Sequence, residues 1–114
     1  MVVKGSVVLV NFPFTDLSKT KLRPAIILWI DTGGTDVVVC AITSQKIDRL
    51  SDGEFLINTT DSEFAQTGLR VSSKVRTTRI ATLSRQLVVR KLGELGTQHI
   101  QNLNTKMIQA FQLK

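Results

Sequence analysis

Arg23-Pro24-Ala25-Ile26-Ile27-Leu28-Trp29-Ile30, Asp31-Thr32-Gly33-Gly34-Thr35-Asp36, Val37-Val38-Val39-Cys40-Ala41-Ile42-Thr43: this stretch reads as two strands and the turn that joins them. Six consecutive apolar residues stand on either side of a segment made only of Gly, Asp and Thr, a hairpin pattern. Proline is tolerated at the first position of a strand, where no ladder donor is needed, so Arg23-Pro24 marks the entry. Neither run alternates apolar with polar, which requires cover on both faces. A small closed barrel with a helix or a second subunit outside it meets that requirement.

Working outward, Val7 to Phe12 is a strand led in by Gly5-Ser6. The polar segment from Pro13 to Lys21 opens with proline and cannot continue a central strand. It is long for a tight hairpin, and long loops in small domains often carry function. Ser44 to Gly53 reads as loop, Glu54 to Ile57 as a short strand, and Asn58 to Gly68 as irregular. Ser73 to Leu83 and Gln86 to Leu92 read as two long strands joined by a tight turn at Ser84-Arg85. Thr97 is placed as an N-cap, followed at helical spacing by Ile100, Leu103, Met107, Ala110 and Phe111. The expectation is one domain over residues 1–114, mainly β, a small antiparallel barrel or compact pair of sheets with a C-terminal helix.

Composition narrows the functions. The single cysteine, Cys40, excludes an internal disulfide and lies in an apolar run, so it reads as a buried hydrophobe in a reducing compartment. The single histidine, His99, excludes a two-histidine acid–base mechanism and argues against a metal site. No apolar run approaches the roughly twenty residues of a membrane span, and the expected location is the cytoplasm. The net charge of +6 is regional: residues 1–60 carry six basic and six acidic side chains, residues 61–114 nine and three. Arg70, Lys74, Arg76, Arg79, Arg85, Arg90 and Lys91 follow one another without a carboxylate between them. Such a segment attracts polyanions, nucleic acid first among them.

Five motifs in order carry a resemblance. Gly5-Ser6-Val7-Val8-Leu9-Val10-Asn11-Phe12-Pro13-Phe14-Thr15-Asp16, Lys21-Leu22-Arg23-Pro24-Ala25-Ile26-Ile27-Leu28, Ala41-Ile42-Thr43-Ser44-Gln45, Gly68-Leu69 with Ser72-Ser73-Lys74-Val75, and Ile80-Ala81-Thr82-Leu83 together resemble the MazF/PemK (Kid)-type toxins of type II toxin-antitoxin systems. The resemblance runs from Lys4 to about Leu92. It implies an SH3-like barrel of the CcdB/MazF/PemK type and a homodimer. It implies an endoribonuclease (mRNA interferase) that needs no metal or other cofactor, cuts single-stranded RNA and is neutralised by a cognate acidic antitoxin. A non-catalytic RNA- or DNA-binding protein, or a CcdB-like inhibitor of gyrase, is the rival on the same fold.

Metal-free RNA cleavage uses the ribose 2′-OH as nucleophile on the adjacent phosphorus, which leaves a 2′,3′-cyclic phosphate and a free 5′-OH. The protein must accept a proton, stabilise charge on the phosphoryl oxygens and protonate the leaving oxygen. Arg23, a planar fork of donors beside a rigid proline, fits the phosphate, and the resemblance makes it catalytic. Thr43 ends a buried run where its hydroxyl can emerge, and the resemblance gives it the same standing. Arg76 matches an arginine that serves as acid in the Kid/PemK branch. The aspartate base two residues later in that branch is Thr78 here, so the base is unassigned among Asp16, Asp48 and water. Phe14, Thr15, Lys19 and Lys21 are candidate substrate contacts on the first loop, Ser44 and Gln45 on the second, and Lys74, Thr78 and Arg79 on the basic strand. Trp29 is placed in the core or a dimer interface.

Overall fold

The computed structural model describes residues 2–12 and 21–113. In chain order the elements are β1 (Ser6–Phe12), β2 (Lys21–Ile30), β3 (Asp36–Thr43), β4 (Glu54–Ile57), β5 (Ser73–Ser84), β6 (Val88–Glu94) and α1 (Thr97–Ala110). The strands form one antiparallel sheet in the order β4-β5-β3-β2-β1-β6. The β2–β3 hairpin is present as expected, but β2 starts at Lys21 and runs through Pro24. Proline has no N–H to give, and the ladder with β3 accordingly begins at the next residue, Ala25 opposite Ala41. Towards β1 the pairing continues to Lys21 opposite Phe12.

The last two strands are not a hairpin. A single turn of 3₁₀ helix, Arg85–Leu87, joins β5 to β6, although β3, β2 and β1 lie between them in the sheet. Four residue steps from Ser84 to Val88 reach at most about 14 Å. Four strand spacings in a flat sheet measure about 19 Å. The sheet must therefore curl on itself, and that curl makes the small SH3-like barrel. It also explains two apolar runs without alternation, because each face has its own core. Val7, Ile26, Cys40, Ile42, Phe55, Ile57 and Val75 pack under α1 with Leu103, whereas Val8, Val10, Phe12, Ala25, Ile27, Val37, Val39 and Leu83 fill the inside of the curl.

Helix α1 begins differently from the expectation. Thr97 is its first helical residue, and the N-cap is Gly96, which has no side chain to offer. The exposed N–H groups are met across space by Glu63, whose carboxylate accepts from Gln98 N–H at 3.0 Å and His99 N–H at 3.1 Å. A side chain at position 96 would collide with the Glu63 carboxyl group and push it off the helix amides, so the cap needs glycine there. The apolar stripe holds through Ile100, Leu103 and Met107. It ends before Phe111, which caps the C-terminus and is exposed.

Trp29 is not in the core of the chain. Between Ile27 and Trp29 the register with β3 shifts by one, which leaves Leu28 against the helix-side core and Trp29 half out in solvent. Cys40 lies fully buried in that core, and burial pushes its thiol up to about 12, the mark of an inert cysteine. No helix among the described residues is long and apolar enough to cross a membrane.

Candidate nuclease site

Three strands bring the expected residues to one face and one end of the sheet. Ala25 and Ala41 are directly paired, and Arg23 and Thr43 each lie two residues beyond them. Strand side chains alternate between faces, so Arg23 and Thr43 share the inner face at the same end. On β5, Lys74 stands opposite Thr43 and Arg76 opposite Ala41. With strands about 5 Å apart, the backbones of Arg23 and Arg76 stand about 12 Å from each other, with Thr43 between them. Lys21, two residues before Arg23 on the same face, is exposed, as are Ser44 and Gln45 just after Thr43.

Thr43 is half-buried, and its Oγ1 accepts the N–H of Gln45 at 3.1 Å. The hydroxyl proton stays available to donate. Arg76 is organised by a residue that the sequence reading did not single out. Glu54, on β4 directly opposite Arg76, is only 5% exposed. Its Oε2 receives Arg76 Nε at 3.0 Å. Its Oε1 receives the Ser51 N–H at 2.8 Å and faces the Lys74 ammonium at 3.2 Å. Burial pushes the Glu54 carboxyl up, but the Ser51 amide, Lys74 and Arg76 outweigh it and hold the group below the usual glutamate range.

Other candidate contacts are buried, sit apart from this row or lie outside the described residues. Lys74 is buried; its ammonium is spent on Glu54 and on the Arg49 carbonyl at 2.8 Å, so it pins the 44–53 loop and does not face solvent. Thr78 and Arg79 fall where the β3–β5 register jumps from Ala41–Arg76 to Cys40–Ile80. Buried Thr77 turns inward there and bonds the Gly53 carbonyl through both its N–H and its hydroxyl. The Thr78 methyl lies beside Gly53, near Ala110 of α1. Phe14, Thr15, Lys19 and Asp16 lie outside the described residues.

Glu54 was legible only as an acidic residue inside a short strand. Its meaning depends on the β4–β5 register, which composition does not supply. Arg70 and Arg90 were likewise not singled out. They line a cleft of 380 Å³ with Leu9, Pro24, Leu69 and Leu92, at the same strand end as Arg23. Among the described residues, no three His, Cys, Asp or Glu side chains gather as metal ligands.

The curled sheet and its row of cations define a class: a small SH3-like barrel with a C-terminal helix and a face suited to phosphate. The family model of PemK-like, MazF-like toxins of type II toxin-antitoxin systems matches residues 3–111, and the chain belongs to that family. None of the curated proteins matches its sequence significantly. Among solved structures it is similar to an endoribonuclease in complex with its cognate antitoxin from mycobacterial species (TM-score 0.75, 19% identity, covering 100% of this chain and 98% of that one). It is also similar to the Mycobacterium tuberculosis toxin MazF-mt6 (0.74, 23%, 96% and 98%) and to MazF from Deinococcus radiodurans (0.70, 18%, 95% and 94%). At these identities the likeness concerns the fold.

Proposed function

We propose that this toxin is a metal-independent endoribonuclease that cuts single-stranded RNA by 2′-OH attack on the adjacent phosphorus. The observation that carries the reading is the placement of Arg23, Thr43 and Arg76 on one face at one sheet end. The Arg23 guanidinium grips the non-bridging oxygens, where negative charge gathers as the 2′ oxygen bonds to phosphorus. The Thr43 hydroxyl donates to the same phosphoryl group. Arg76 supplies donors from the far side. The 5′ oxygen departs with a proton, and a 2′,3′-cyclic phosphate remains. Glu54 is not the base, because both its oxygens are committed to donors. Solvent, Asp16 and the exposed Asp48 are left as acceptors for the 2′-OH proton.

Two partners complete the reading. A second copy of the chain covers the face where Trp29 (53% exposed) and Ile80 (40% exposed) lie in solvent. An acidic antitoxin segment crosses the basic surface that also attracts RNA. The protein then acts in the cytoplasm, where both RNA and antitoxin are. Threonine at position 78, where the Kid/PemK branch has its aspartate base, supports one rival: a domain that binds RNA without cutting it.

Purified protein incubated with single-stranded RNA in EDTA decides between them. Fragments ending in 2′,3′-cyclic phosphate and 5′-OH, absent with Arg23→Ala, are expected. Binding without cleavage supports the rival.

A further inference from the structure

Buried carboxylates that hold an arginine need a reason, because desolvating them is costly and an apolar pair would often serve stability as well. Glu54 spends its Oε2 on Arg76 Nε at 3.0 Å, while the Arg76 side chain is 37% exposed. Among the described residues Arg76 is engaged through Nε alone, so the two terminal nitrogens carry no hydrogen bond. The other carboxylate oxygen is fixed from two directions. Ser51 N–H holds it at 2.8 Å, and the Lys74 ammonium, itself locked on the Arg49 carbonyl, stands at 3.2 Å. The carboxylate cannot rotate without breaking three contacts. The chain from the 44–53 loop through Lys74 and Glu54 to Arg76 is therefore a bracket that fixes one edge of a guanidinium and leaves its other donors to an anion.

We infer that Glu54 is a positioning residue: it locks Arg76 by Nε so that the terminal guanidinium nitrogens meet the scissile phosphate beside Arg23 and Thr43. The inference rests on the nuclease reading above and adds to it a residue that never touches RNA. It also accounts for a cation so close to a carboxylate in a site built for anions. The negative charge of Glu54 is balanced by Lys74, which leaves the Arg76 charge for the ligand.

The test is a double-mutant cycle of Glu54→Gln and Arg76→Ala, read as kcat on saturating RNA in EDTA and as affinity for the same RNA with 2′-O-methyl riboses, which cannot be cut. Each single variant is expected to lower kcat by about 10- to 100-fold, the usual scale for a misplaced catalytic group. The double variant falls no further than Arg76→Ala alone. Wild-type kcat in Glu54→Gln, or losses that multiply in the double variant, overturns the inference. If Glu54→Gln does not fold, Glu54→Gln with Lys74→Met removes both buried charges together; full kcat in that folded protein is equally fatal. Should the wild type bind but not cut, the nuclease reading fails on its own. The same cycle in affinity then decides, with equal, non-multiplying losses expected and independent ones contradicting the inference. A wild type that neither cuts nor binds RNA sinks both.

Discussion

Two clusters of carboxylate and cation sit on opposite faces of this small sheet, and they are built from similar parts. Glu54 with Lys74 and Arg76 lies on the inner face, at the end that carries Arg23 and Thr43. Asp61 and Glu63 with His99 lie at the N-terminus of α1. In the second cluster both carboxylates are spent on backbone amides and on His99, although Asp61 stays 36% and Glu63 21% exposed. Asp61 accepts from Asn58 N–H at 2.9 Å and meets His99 Nε2 at 2.9 Å, and Glu63 caps the helix. His99 is 2% exposed, its Nδ1 has no hydrogen-bond partner among the described residues, and Glu63 Oε1 stands 3.8 Å away. The partly exposed member of the first cluster is a cation, Arg76 (37%), held through Nε alone; that of the second is a carboxylate, Asp61 (36%), already bonded to an amide and an imidazole. Similar chemistry ties a helix to a loop in one place and presents a cation in the other. The difference lies in what is left unsatisfied, which is why motif composition alone does not separate a structural cluster from a functional one.

The comparison can be broken or sharpened in order of expected effect. Glu54→Ala leaves the buried Lys74 ammonium without its carboxylate, and removing one partner of a buried pair costs about 3 kcal/mol or more. Urea unfolding is expected to show a lower midpoint, and cleavage per folded molecule falls as well. Leu103→Ala, in the α1 stripe, is expected to cost about 3 kcal/mol through the cavity under the helix. Its cleavage per folded molecule stays at the wild-type level. Glu63→Gln weakens the helix cap, so thermal unfolding shifts down by less than in either variant above, again with cleavage per folded molecule unchanged. If Glu63→Gln abolished cleavage in fully folded protein, the division between the clusters would be wrong.

Acid supplies a smaller, graded test. The Asn58 amide, with His99 after it, holds the Asp61 carboxyl below its ordinary range. The Gln98 amide does most to lower Glu63, and the donors around Glu54 outweigh its burial. A carboxyl whose pKa is lower folded than unfolded contributes stability that is complete above the unfolded value, about pH 4. That stability is lost as pH falls through the folded value. The unfolding midpoint is therefore expected to decline below about pH 4 in the wild type. The decline is shallower in Glu63→Gln, as thermal unfolding across a pH series would show. An equally steep decline in that variant would remove Glu63 from the account.

Much of the barrel was legible because it depends on neighbours in sequence. Ala25–Ile30 and Val37–Ile42 flank a glycine turn, and local pattern suffices there. The misreadings share a cause, which is contact between distant residues. Thr97 resembles an N-cap, yet the cap is Glu63, supplied from a loop more than thirty residues earlier. Of the two places read for Trp29, core or dimer interface, a register shift against β3 removes the core by turning the ring out. Ser84-Arg85 looks like a hairpin turn, while the curl of the sheet sends the next strand to β1. Within the site, Arg23 and Thr43 were candidates from local features and resemblance, and the β2–β3 register sets them side by side. The burial of Lys74 was not legible, because a lysine on a strand looks like a surface charge until its buried glutamate is known.

The central claim is that Arg23 stabilises the charge on a phosphodiester cut without metal. The most direct measurement is the single-turnover cleavage rate of Arg23→Ala against wild type, on single-stranded RNA in EDTA, with product ends identified. A fall of about 100- to 1,000-fold, the scale for losing one charge-stabilising donor, is predicted, with wild-type fragments ending in a cyclic phosphate. An Arg23→Ala protein that cuts at the wild-type rate would contradict the account.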